Sequence, residues 1–136
     1  MSIIAQLFIF VWAMFGSNIA EAATLKLQPL NQTYTSGYVF DVTIMLDTEG
    51  AGVDGVDIHY LNYNPALLLA QGSITPGILF ANTNTSTVDA QNGKINFSQT
   101  SAGGVQFNGK GSVATLKFKA LAQGTAKLTF DFTSGD

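Results

Sequence analysis

The sequence contains neither cysteine nor arginine. Without cysteine there is no disulfide framework and no thiolate metal site. Without arginine there is no bidentate grip on phosphate or carboxylate. Charge of either sign is scarce: six lysines face nine acids among 136 residues, a net charge of −3. That balance excludes a nucleic-acid binder, whose footprint is a basic stripe. There is one histidine, His59. With no cysteine, only a serine or threonine could attack a substrate, and no Gly-x-Ser-x-Gly elbow is present. His59 therefore reads as a partly exposed strand residue that at most contributes to a binding face, and the chain as a non-enzyme. No segment sustains helical spacing. What is abundant is Gly, Thr, Ser and Asn, the composition of a turn-rich β protein.

The first stretch stands apart. Ile3 to Phe15 is apolar except for Gln6, with no Lys or Arg ahead of it. It is short of the roughly 20 residues a bilayer span needs. Gly16-Ser17-Asn18 ends it, and Ala20-Glu21-Ala22 has the small-x-small spacing of a signal-peptidase site. Residues 1–22 are expected to be a signal-peptide helix, cleaved after Ala22, and residues 23–136 a single secreted or cell-surface domain. The polar end shortly after Phe132 suggests a piece of a longer surface protein.

Beyond Ala22, residues alternate apolar and polar with a period of two, broken by turns. Thr24–Gln28 is a strand, and Asn31–Gly37 reads as a turn. In Tyr38–Leu46, Phe40, Val42, Ile44 and Leu46 share the core side. Gly55–Tyr63 holds a conflict: Ile58 and Tyr60 alternate on one parity, Leu61 and Tyr63 on the other. One flat strand cannot bury both sets, so a bulge is expected near His59-Tyr60-Leu61. Leu67–Ala70 is a short buried run, Ala81–Thr87 a polar stretch, Val88 the start of another short strand, and Asn92-Gly93 a type I′ hairpin signal. In Lys94–Gln99, Ile95 and Phe97 point inward. In Ser112–Ala120, Ala114, Leu116 and Phe118 do, and in Thr125–Phe132, Ala126, Leu128, Phe130 and Phe132. The expected class is all-β, an antiparallel β-sandwich with jelly-roll topology and eight or nine strands.

Four segments, in order, resemble the cohesin family. Tyr63-Asn64-Pro65-Ala66-Leu67 is similar to the family's Tyr-Asp-Pro strand end, with Asn64 in place of Asp. Ile74-Thr75-Pro76-Gly77-Ile78-Leu79 resembles its Pro-Gly-x-Leu turn. Asn92-Gly93-Lys94-Ile95 resembles its Gly-Lys-Ile strand start. Gly109 to Phe118 resembles its Gly-x-Gly-x-Leu-Ala-x-Leu-x-Phe strand. The resemblance covers about Thr24 to Phe132. It implies a jelly-roll module that binds calcium-folded dockerins in surface or polysaccharide-degrading assemblies. It also implies a partner-binding sheet face holding Asp57, His59, Asn96 and Ser98, with Asn92 at a hairpin tip and Thr115 and Lys117 alongside. Fold-level analogy alone leaves two alternatives: a carbohydrate-binding module and a structural adhesin domain.

Two other constellations carry candidate chemistry. Asp47, Glu49, Asp54 and Asp57 would suit Ca²⁺ if they converged, since that ion takes six to eight oxygens. Their spacing is not that of an EF-hand loop, so no metal site is assigned. As a glycosidase pair they would need a cleft that so small a domain hardly offers. Tyr34, Tyr38, Tyr60, Phe80 and Phe107 would bind sugar if they formed an exposed coplanar row.

Overall fold

The computed structural model describes residues 2–7 and 23–131. Two sheets face each other. One has the strand order β3-β1-β11-β5-β9-β8 and the other β2-β4-β10-β6. The strands are β1 (Ser2–Leu7), β2 (Thr24–Gln28), β3 (Asn31–Thr35), β4 (Val39–Asp47), β5 (Gly55–Asn62), β6 (Leu68–Ala70), β7 (Thr75–Pro76), β8 (Asn82–Asp89), β9 (Lys94–Thr100), β10 (Lys110–Ala120) and β11 (Gly124–Asp131). Every pairing is antiparallel except β1 with β11, which run parallel. The all-β sandwich expected from the alternation is what forms.

The core fills the space between the sheets. From one side come Leu27, Phe40, Val42, Ile44, Leu46, Leu116 and Phe118, from the other Ile58, Leu61, Ile95, Phe97, Ala126, Leu128 and Phe130, all buried. These are the inward sets the period of two selects, because successive strand side chains point to opposite faces. Among the described residues, three of the buried ones are polar, Thr24, Thr48 and Gln99. Gln99 keeps the inward parity of Ile95 and Phe97 and donates from Nε2 to Thr83 Oγ1 at 3.1 Å.

The β5 bulge falls where the parity conflict placed it. Ile58 pairs with Phe97 and Leu61 with Ile95, so His59 and Tyr60 together oppose Asn96. The extra residue lets Ile58 and Leu61 both reach the core.

The structure corrects four expectations. The leader helix is absent over Ser2–Leu7, which form β1; residues 8–22 and Phe132 lie outside the described residues. Free backbone groups on the edges of β3 and β11 pair with this extended run. Asn31–Thr35 is a strand, not a turn, and the strand expected from Val88 begins already at Asn82 and takes in the polar stretch. Both are sheet edges with little to bury, so hydrophobic alternation gives no sign of β3 or of β8 before Val88, while threonine suits a pleated backbone. With β6 and β7 also counted, the strands outnumber the eight or nine expected. Finally, Asn92-Gly93 is not a two-residue hairpin. Asp89 pairs with Lys94, so four residues connect β8 to β9. Only Gly93 there has a positive φ, +65°.

The segments behind the family resemblance have local physical reasons. Asn64 Oδ1 accepts from the Ala66 N–H at 2.9 Å, and its carbonyl accepts from Leu67 and Leu68. An amide oxygen serves that Asx turn as a carboxylate would. At Gly77 the backbone comes so close to β10 that a Cβ would collide with the Ser112 carbonyl, while its N–H donates to Val113 O at 2.7 Å.

Candidate binding face

Strands β11, β5, β9 and β8 present an outer face that can be built row by row, since residues paired across an antiparallel ladder share a face. Asp57 pairs with Ser98, and Ser98 with Thr85. Asn96 lies opposite the bulge on one side and Thr87 on the other. Asn62 pairs with Lys94 and Thr129, and Lys94 with Asp89. Asp131 pairs with Tyr60. The face is therefore polar, with three short rows of carboxylates, amides and hydroxyls around one aromatic centre.

The bulge makes that centre. His59 is exposed and Tyr60 half-buried. Their rings meet edge to face at 4.5 Å, and Lys94 Nζ lies 4.6 Å from the Tyr60 ring centroid. A regular strand would alternate these two residues between faces; the extra residue turns both outward. The sequence located the bulge but did not settle the fate of Tyr60.

The expected site residues divide between the sheets. Asp57, His59, Asn96 and Ser98 come together on this face. Asn92 stands at its end in the β8–β9 loop, where its N–H and Nδ2 donate to the two Asp89 oxygens at 3.1 and 2.7 Å. These bonds hold the Asp89 carboxyl below its ordinary value. Thr115 and Lys117 are elsewhere. They lie on β10, in the opposite sheet, and line an open groove with Asp41, Gln71, Ser73 and Thr75. Lys117 Nζ pairs with Asp41 Oδ1 at 2.8 Å. Alternation shows that a residue points outward, but not from which of two sheets. Thr85 and Thr87 were missed because the sequence signalled a strand only from Val88, at the end of β8.

The four acids considered for Ca²⁺ do not converge. Asp47 sits in the second sheet, bonded to the Glu49 N–H at 2.9 Å and to Lys110 at 3.3 Å, which together lower its pKa. Asp57 is on the outer face of the first sheet. Among the described residues no three histidines or acids stand close enough to hold a metal ion. The aromatics do not make a row either. Tyr34 stacks between Phe40, at 3.8 Å, and Tyr38, at 5.6 Å, so the rings form a column with Tyr38 outermost. Phe80 is buried and Phe107 meets it edge to face at 6.4 Å. No helix among the described residues is long and apolar enough to cross a membrane.

The family profile of the cohesin domain matches residues 25–136, and the chain belongs to the cohesin family. No curated protein matches it. Solved structures share the fold at low identity. A mutant type II cohesin–X–dockerin complex from Acetivibrio cellulolyticus has a chain 19% identical, with a TM-score of 0.61 over 81% of this chain and 77% of that one. A type II cohesin domain from the cellulosome of the same organism is 18% identical, with a TM-score of 0.57 over 99% and 77%. The type II cohesin dyad of its ScaA scaffoldin is 18% identical, with a TM-score of 0.56 over 76% and 36%. This chain thus spans about a third of the dyad's length.

Proposed function

We propose that the chain is a non-catalytic dockerin-binding module that works outside the cell, and that its contact surface is the outer face of β11, β5, β9 and β8. Family membership carries this reading, and the polar face with one aromatic centre supports it. Interfaces of this kind place an apolar or aromatic centre inside a polar rim, with rim charges tuning the rate of encounter. Here the centre is Tyr60 with His59. The rim is Asp57, Lys94, Asn96, Ser98, Thr85, Thr87 and Asp131. Asn92 acts through the loop, holding Asp89 beside Lys94. The domain itself is assigned no cofactor; the calcium requirement belongs to the partner. Export with removal of residues 1–22 is part of the same reading.

The test is capture of exported proteins of the source organism by the immobilised chain, repeated with EDTA. A retained protein lost with chelator is the expected result, because dockerins need calcium to fold. Capture of soluble polysaccharide and no protein would overturn the proposal in favour of a carbohydrate-binding module.

A further inference from the structure

β1 is held on both sides. Along one edge Ile3 to Leu7 run parallel to Gly124–Leu128 of β11. Along the other, Ser2 to Gln6 run antiparallel to Thr35–Asn31 of β3. β1 is also the only strand β3 pairs with among the described residues. The walls of this slot are nevertheless fixed without it. Tyr34 of β3 stacks on buried Phe40, and just beyond β3 Ser36 Oγ and the Gly37 N–H donate to the carbonyls of Leu121 and Ala120 at 2.9 and 2.7 Å. β11 is anchored by buried Ala126 and Leu128 and by its ladder with β5. Two fixed edges two strand spacings apart, roughly 9–10 Å, leave space for one strand with a partner on each side.

Edge strands are normally guarded by charge, proline or a bulge. β3, Asn-Gln-Thr-Tyr-Thr, has neither charge nor proline, and its ladder has no register shift. The segment seated in the slot, Ser-Ile-Ile-Ala-Gln-Leu, is likewise uncharged.

We propose that the slot between β3 and β11 is a strand-acceptor site. Residues 2–7 fill it in cis; once they are removed, it takes an extended, uncharged strand of about six residues from another polypeptide by main-chain pairing. The second half rests on the reading of residues 1–22 as a leader removed on export. The acceptor is a sheet edge, distinct from the face assigned to dockerin.

The test uses the full chain with a protease site inserted after Ala22, folded, cut, and freed of the N-terminal fragment by gel filtration. The probe is a fluorescent peptide, Ser-Ile-Ile-Ala-Gln-Leu, followed by anisotropy. The cut protein is expected to bind it saturably. The uncut chain should bind at least about tenfold more weakly, because its tethered copy competes at millimolar effective concentration. A peptide carrying Ile4→Pro should fail to bind, since proline removes a ladder donor. Binding to neither form, equal binding to both, or indifference to the proline overturns the proposal. So does loss of hydrogen-exchange protection in β5 and β9 after cutting, which would make β1 a structural part of the core. N-terminal sequencing of the exported protein judges the leader separately. A retained Ser2 ends that reading, while the peptide arm still decides whether the slot accepts a strand.

Discussion

At the scale of single residues, the β8–β9 loop shows how much depends on small groups. Gly93 has φ +65°, and a Cβ there would meet the Tyr63 carbonyl, whose own N–H donates to Gly93 O at 2.9 Å. Gly93→Ala is expected to cost about 1–3 kcal/mol, read from the urea midpoint at unchanged slope; an unaltered midpoint contradicts it. Beside it, Asp89 has its pKa lowered from 3.8, chiefly by the Asn92 side-chain and backbone hydrogen bonds. A depressed carboxylate stabilises the fold above its unfolded value and loses that contribution as pH falls through the folded value. Asn92→Ala should therefore raise the Asp89 midpoint toward 3.8, followed by carboxyl-carbon NMR; a midpoint that stays put removes Asn92 as the cause. Asn92 and Gly93 were both conspicuous in the sequence as a turn signal. The loop length was not, because it depends on how far the β8–β9 ladder runs. Buried Gln99 stands at the inward parity of Ile95 and Phe97, but its polarity kept it out of the expected core; the hydrogen bond to Thr83 across the ladder partners its amide there.

At the scale of strands, the β5 bulge was legible and the polar edge strands were not, apart from the end of β8 at Val88. Two apolar parities in one run leave no other way to bury Ile58 and Leu61 together. β3 and β8 bury almost nothing, so their register is written in backbone hydrogen bonds that composition does not show. The bulge also makes a sharp prediction. Deleting Tyr60 would leave Ile58, His59 and Leu61 opposite Phe97, Asn96 and Ile95, a regular ladder. Stability should change by no more than about 1 kcal/mol, while partner affinity falls because the aromatic centre is gone. Collapse of the fold on deletion would show that the bulge is needed for more than parity. In the opposite sheet, the Lys117–Asp41 pair is half-exposed on both sides. Lys117→Ala should cost under about 1 kcal/mol, less still at high salt; a larger thermal shift would assign the pair a structural role.

At the scale of the whole molecule, alternation in β4, β9, β10 and β11 was enough to give the sandwich and its core. It could not assign each outward set to a sheet, and so Thr115 and Lys117 were grouped with Asp57 and Asn96. That assignment is now the basis for a direct test of the binding face. The measurement is the affinity of the calcium-dependent protein captured by the wild-type chain for two variants, Asn96→Lys at the middle of the proposed face and Lys117→Glu on the opposite sheet. The prediction is at least about tenfold weaker binding for Asn96→Lys, from a charge placed in the interface centre, and a change within about twofold for Lys117→Glu. Equal loss in both variants, or loss confined to Lys117→Glu, would contradict the assignment of the β11-β5-β9-β8 face.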